Sequence, residues 1–459
     1  PEVVAFAAEA EAAPPEVASD ALIKLASSAR AADPAWKREL IERAFVLAGT
    51  SRQHMRRKAA PYVSALADNS AEYLSQAYNL GLDALSLRVR AVRAMLPIDA
   101  PRAREMLAQI PAGPPLPALS CKDAMVYDVS DFYALAGEIA LKTFSGEEVR
   151  QGARAHFVLP YVEAVSSPAQ AVPAIRLVLA VGQRPEDMAL LAPALAKAIR
   201  NLPADDRSFT GAASADNFAG AAGDLARALG KRTDALAGDF VEACRRFIRA
   251  GMTGERCAED VPRRTPSYLS EANLVLFKSS PLKPENLGPS GVGARADISE
   301  YWKTPGAKAL LRSFQRLRFG DDPAAVKISS EGTALTREDV GTPDWDAQLR
   351  RFLSDLESWD GSGEASEYDF FNQQQNLYQG LLEVAPVGQA RSEVLASWLK
   401  SLGGGRDGEA ELLRYFYASE LLKAVNASPP AMRDDFLARM VYSNDAALSI
   451  FAKETRLKL

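Results

Sequence analysis

The residues best suited to chemistry in this chain lie between Glu364 and Asn376. Glu364, Glu367 and Asp369 bring three carboxylates close together, Tyr368 stands among them, and Asn372, Gln373, Gln374, Gln375 and Asn376 follow. Paired carboxylates can protonate a leaving oxygen and stabilise or attack the sugar carbon behind it, while amides and a phenol hold sugar hydroxyls. A helical glycan- or peptidoglycan-acting enzyme would use this set, with Glu364, Glu367 and Asp369 as catalytic candidates and Tyr368, Gln373 and Gln374 as binding candidates. A structural reading competes and outweighs it. Ser366 to Asp369 has the S-x-x-D spacing of a capping box, acids belong at a helix N-terminus, and Gln and Asn suit an exposed face.

The other chemical candidates are weaker. Cys244 and Cys257 are close enough in sequence for a disulfide that closes a short loop, stabilising by about 2–3 kcal/mol. We expect that bridge, with Cys121 left over as a small buried hydrophobe. Ser280-Pro-Leu-Lys283 matches S-x-x-K in letters, but a proline directly after the serine and the breakers around it make a turn. Pro289-Ser-Gly-Val-Gly-Ala-Arg295 is glycine-rich without the spacing of a phosphate loop and with no strand before it.

Composition excludes more than these motifs supply. The 459 residues include 81 Ala but only 2 His and 3 Cys, so a zinc or iron centre built on imidazoles or thiolates is not expected, and neither a metal nor a cofactor is assigned. Fifty-nine acids against 54 bases leave a charge of −5, which offers no field for nucleic acid. The densest basic cluster, Arg52, Arg56, Arg57 and Lys58 around His54, reads as the solvated face of a helix. No apolar run is long enough to span a membrane. The first residue is Pro1 rather than Met, which raises the expectation of a removed upstream piece such as a signal peptide, a cloning truncation being the alternative.

What must position any site is helical. Asp33-Pro34 opens a helix whose Trp36, Leu40, Ile41, Ala44, Phe45 and Ala48 form one stripe, ended by Gly49. Thr342-Pro343 opens another with Trp345, Leu349, Phe352, Leu353, Leu356 and Trp359 inward, closed by Gly361, and Lys308 to Arg318 stops at Gly320. Leu82, Leu85, Val89, Val92 and Leu96 recur at helical steps of three and four. Sixteen to twenty helices of ordinary length would fill the chain. The best strand candidate, Asn273 to Lys278, is a contiguous apolar run that periodicity cannot tell from a helix.

The fold class is therefore all-α: an irregular helical array or α-solenoid of tetratricopeptide- or HEAT-like helix pairs, followed by a second helical domain. The pairs rest on Asp20-Ala21-Leu22 before Asp33-Pro34, matched by Asp83-Ala84-Leu85 before Asp99-Ala100-Pro101. Alanine falls from 58 in residues 1–250 to 23 in the rest, and breakers crowd residues 261 to 293. We place an Ala-rich repeat-like domain at 1–255, a Pro/Gly-rich linker at 256–298 and a bulkier helical domain at 299–459. The later half also gathers Tyr368, Phe370, Phe371, Tyr378, Tyr415, Phe416 and Tyr417, as groove lining or as core.

Glu300-Tyr-Trp-Lys-Thr-Pro-Gly-Ala-Lys-Ala-Leu-Leu311 and Gly363-Glu-Ala-Ser-Glu-Tyr-Asp-Phe-Phe371 resemble segments of an uncharacterised family of bacterial, exported, helical proteins. The likeness covers about residues 240–400 and implies a helical fold and export, to the periplasm or beyond, with no activity attached; a cytoplasmic protein is the alternative. The function expected is a non-enzymatic scaffold binding a protein or peptide, with the carboxylate enzyme as the alternative.

Overall fold

The structure, a computed structural model, describes residues 2–60, 70–209, 211–231, 234–254, 257, 269–288, 302–320, 339–361, 363 and 367–459. Its elements run, in chain order, α1 (Glu2–Ala10), α2 (Pro15–Ser27), α3 (Pro34–Ala48), β1 (Arg57–Ala59), α4 (Ser70–Tyr78), α5 (Ala84–Met95) and α6 (Ala100–Ala108). Then come β2 (Met125–Tyr127), α7 (Ser130–Lys142), α8 (Gly146–Arg150), α9 (Ala153–Glu163), α10 (Pro168–Val181), α11 (Pro185–Arg200), α12 (Ala212–Gly230), α13 (Asp234–Thr253) and α14 (Ser270–Val275). The later part holds α15 (Pro305–Phe319), α16 (Pro343–Ser358), α17 (Glu367–Val384), α18 (Gln389–Ser401), α19 (Gly408–Asn426), α20 (Pro430–Val441) and α21 (Ala446–Leu457). The protein is an all-α helical array. The described residues hold more helices than the composition suggests because several, such as the five-residue α8, are single turns.

Local chemistry starts and stops these helices where expected. Asp33 accepts from the Ala35 N–H at the start of α3, and Thr342 accepts from the Trp345 N–H at the start of α16. Gly320 ends α15 at φ 82°, a left-handed conformation costly for a residue with a Cβ. Most of the inward stripes pack as read: Leu40, Ile41, Ala44, Phe45 and Ala48 of α3 are buried, as are Trp345, Leu349, Phe352, Leu353 and Leu356 of α16, while Trp36 and Trp359 at the stripe ends are half-buried. The Trp345 indole donates to the Leu317 carbonyl at 3.1 Å, which ties α16 to the end of α15.

Four expectations change. Arg52 and Arg56 lie on no helix; the segment leads into β1, which pairs antiparallel with β2, Arg57 opposite Tyr127 and Ala59 opposite Met125. The partner strand lies far along the chain, so no local turn signals this pair. Asn273 to Lys278 is not a strand: α14 covers it to Val275, its end held by Asn273, whose amide donates to the Leu282 carbonyl and accepts from the Leu282 N–H. The two helix pairs match in their second members, where Asp33 caps α3 and Asp99 caps α6, but not in their first, since Asp83 caps α5 whereas Asp20 sits within α2, buried in an ion pair.

The fourth correction is the disulfide. It joins Cys121 to Cys257, with a Cα–Cα distance of 5.2 Å, and Cys244 is a free, buried thiol. Helix α13 does not end at Gly251 but runs to Thr253, so nine residues at 1.5 Å each carry the chain roughly 14 Å beyond Cys244. Cys244 also faces the core beside Phe240, Phe247 and Ile248. Cys121 instead lies in the segment before β2, which Leu119 and Asp123 fasten to Asp206 and Arg207.

Helices from the two ends of the chain pack directly on each other. α2 contacts α21, α1 contacts α21, and α4 contacts both α17 and α19. With α3 and α5 packed on it as well, α2 is covered on nearly every side, and even its polar Glu16, Ser19 and Asp20 are buried. Of the Pro/Gly-rich stretch 256–298, residues 257 and 269–288 are described, and Pro289 to Arg295 lies outside the described residues.

Candidate functional site

The site is the seam between α2 and α5 on one side and α19 and α21 on the other. Its centre is Tyr415, 1% exposed, whose hydroxyl donates to Glu16 Oε1 at 3.2 Å across 399 residues of sequence. The Gln53 amide donates to the same oxygen at 3.3 Å. A cleft opens on each side of this tyrosine.

The first cleft, about 700 Å³, is walled by the N-terminal ends of α2, α19 and α21 and by the Gly403-Gly404-Gly405 turn. Beneath it Arg414 is gripped by Glu411 through two bonds, Nε to Oε2 at 2.7 Å and Nη2 to Oε1 at 2.5 Å, and by Asp445 at 2.6 Å. This fork geometry fixes the guanidinium, which lies 5.1 Å from the Tyr415 ring centroid. Burial alone would raise the Glu411 carboxyl, but the adjoining Arg414 outweighs it and holds the group below the ordinary range. Asp445 also caps α21 by accepting from the Leu448 N–H.

The second cleft, about 690 Å³, lies between α2, α5, α19 and α21. At its floor Lys24 bonds Asp20 at 2.7 Å and Glu454 at 2.8 Å, and Arg90 bonds Asp20 from α5. The two acids respond differently. Burial pushes Asp20 up, but Lys24 and Arg90 together overcome it and lower its pKa. Glu454, with Lys24 as its one hydrogen-bonded cation and Asp20 as a like charge nearby, is raised to about 7, chiefly by desolvation. Its other oxygen, Oε1, is buried and receives no hydrogen bond among the described residues.

The residues singled out from sequence lie elsewhere on the same half. Glu367, at the first turn of α17, is a mostly exposed partner of Arg406 at 2.9 Å, while Asp369 is buried; Glu364 and Ser366 lie outside the described residues. Tyr368 packs half-buried against the core. Gln373 and Gln374 are buried rather than exposed, because α15, α18, α19 and α4 all pack on α17. The amides there are structural: Gln374 donates to the Leu356 carbonyl at 3.3 Å, and Gln375 accepts from the Trp398 indole at 2.7 Å and donates to Ser401 at 3.2 Å. Tyr417 donates to Asn376 at 3.1 Å and also to Asn372. Phe371, Tyr378 and Tyr417 are core.

Sequence reasoning passed over Glu16, Asp20, Lys24, Arg90, Glu411, Arg414 and Glu454. Asp20 and Lys24 are spaced i, i+4 amid the Ala, Val, Leu and Ile of α2, and charges set among apolar helix residues are the signal that marks them.

No protein-family model matches the sequence, and no curated protein matches it. Among solved structures, the NOT1 superfamily homology domain from Chaetomium thermophilum is similar at 15% identity over 100% of this chain and 99% of that one, with a TM-score of 0.14. A superposition that loose bears on neither the fold nor the site.

Proposed function

We propose that this protein is a non-enzymatic helical scaffold that binds a protein or peptide partner along the seam of α2, α5, α19 and α21. One observation carries the reading: two open clefts of about 700 and 690 Å³ flank a single buried tyrosine, in walls whose side chains are already fixed by ion pairs. Clefts of this size suit side chains or short segments of a partner, and pre-ordered walls reduce the entropy lost on binding. The overall charge of −5 disfavours nucleic acid as that partner. The Cys121–Cys257 bridge supports export to an oxidising compartment. No helix among the described residues is long and apolar enough to cross a membrane.

The test is site-specific photocrosslinking in the cells that make the protein. A crosslinker at Asn444 in the first cleft or Asn426 in the second should capture one discrete partner, and one at exposed Leu141, which lines neither cleft, should not. Equal capture at all three positions, or none at either cleft, would refute the scaffold.

A further inference from the structure

The second cleft carries a charge arrangement that general partner binding leaves unused. Cations reach it from four parts of the chain: Lys24 of α2, Arg56 ahead of β1, Arg90 and Arg93 of α5, and Lys423 of α19. Of the acids that line the cleft, Asp20 and Glu454 lie below; outside the lining, Arg93 pairs with Glu138 at 3.2 Å and Lys423 with Glu420 at 2.6 Å. Side-chain exposure is 6% for Asp20 and 8% for Glu454, against 30% for Arg90, 36% for Lys24 and 40% for Arg93. The third acid, Asp131, sits on the rim and is clasped by Arg56 at 2.8 Å. Past the Arg56–Asp131 pair on the rim, a ligand entering the cleft meets Arg90, Arg93 and Lys24 before Asp20 and Glu454, although the cluster as a whole is closer to neutral.

The two α5 arginines are only partly engaged. Arg90 reaches Asp20 through Nη2, and Arg93 reaches Glu138 through Nε; among the described residues neither guanidinium has another hydrogen-bonded acceptor. A guanidinium has five N–H donors, so each keeps donors for a planar or tetrahedral anion. Asp20 holds Arg90 and Lys24 in place before any ligand arrives, which is preorganisation of the kind that raises affinity. Beside the cations stand Leu82, Val89, Leu422 and Phe451, a wall for an apolar group.

We propose that this cleft takes an anionic group, a carboxylate or a phosphate, borne next to an apolar moiety, with Arg90 and Arg93 as its principal donors and Lys24 and Lys423 adding charge. The assignment deepens the scaffold reading and rests on it, naming the chemistry of the partner segment that enters.

Isothermal titration of the full chain tests it with three probes: inorganic phosphate, a blocked hexapeptide of alternating Glu and Leu, and the same peptide with Gln for Glu. The acidic peptide should bind, more weakly as salt rises, and at least roughly tenfold more tightly than its Gln counterpart. Arg93→Gln should weaken it roughly 10- to 100-fold, the loss expected for one charge-assisted pair. Displacement of the peptide by phosphate would assign the site to phosphate groups, and failure of phosphate to compete would assign it to carboxylates. Arg93 is half-buried and bonds Glu138, so the melting temperature of its variant is measured alongside; Lys423→Gln, at an exposed position, is the second variant and should also weaken binding. Silence of both anionic probes at millimolar concentration, equal affinity for the Gln peptide, or unchanged affinity in both variants would overturn the proposal. Crosslinking separates the two failures: capture at Asn426 that persists undiminished in Arg93→Gln protein removes the anion assignment alone, whereas absence of capture in the unaltered protein removes the scaffold.

Discussion

Replacing Cys121 by Ser should lower the melting temperature by about 5 °C. The bridge to Cys257 spans a sequence separation of 136. In the chain-entropy account, releasing the unfolded chain from a loop of that length costs the folded state about 5 kcal/mol. An unfolding entropy near 2 cal/mol/K per residue amounts to roughly 1 kcal/mol/K for a chain of 459 residues, so each kcal/mol moves the midpoint by about one degree. Had Cys244 been the partner, the loop would hold about a dozen residues and the loss would be about 3 kcal/mol. Calorimetry under non-reducing conditions should find Cys121→Ser, Cys257→Ser and the reduced parent protein melting together, with Cys244→Ala still bridged. A non-reducing peptide map should link the Cys121 and Cys257 peptides. Cys244 should resist alkylation until the chain unfolds, because burial shields the thiol and pushes its pKa well up. A linked peptide containing Cys244, or a Cys121→Ser protein melting within a degree of its parent, would refute the reasoning.

Glu454 should make stability fall as pH rises. Its pKa is raised from 4.5 to about 7 in the folded chain, so the folded state holds the proton more tightly, and this contribution is present below about pH 4.5 and lost as pH climbs through 7. Glu454→Gln, which keeps an acceptor for Lys24, should flatten that slope, gaining about 3 kcal/mol on its parent between pH 5 and 8; parallel melting profiles would contradict it. Arg414→Ala leaves Glu411 and Asp445 without their buried cation and should cost about 3–5 kcal/mol by denaturant titration, and a loss under 1 kcal/mol would show the pair to be solvated. If the carboxylates of α17 worked on a glycan, Glu367→Gln would abolish turnover at an unchanged melting temperature; as an exposed partner of Arg406, Glu367 should change neither by a measurable amount when tested on peptidoglycan.

The helices were legible because their signals are local. Asp33 before Pro34, Thr342 before Pro343 and Gly320 after Phe319 act within one turn, and apolar residues at three- and four-residue steps state which face is covered. The rule failed on α17, where it assigns Asn372 to Gln375 to water. Packing from several helices covers Asn372 to Gln375, and the amides are then held by Trp398, Ser401, Tyr417 and Leu356. Residue type describes a preference for hydrogen bonds, and a buried partner satisfies that preference as well as water does.

By itself the sequence determined that the chain is helical and where many helices begin and end, and its 2 His and 3 Cys leave little material for an imidazole- or thiolate-based centre. Tertiary structure alone decided which cysteines meet, that Arg57 to Ala59 finds a strand partner, and that Glu16, Asp20 and Lys24 close onto Tyr415, Arg90 and Glu454 respectively. The physical reason is the range of the interactions. Caps and stripes are settled within a few residues, whereas the seam exists because α2, enclosed by its neighbours α1, α3 and α5, is also met by α21 from the far end of the chain, which brings its few charges against those of that end.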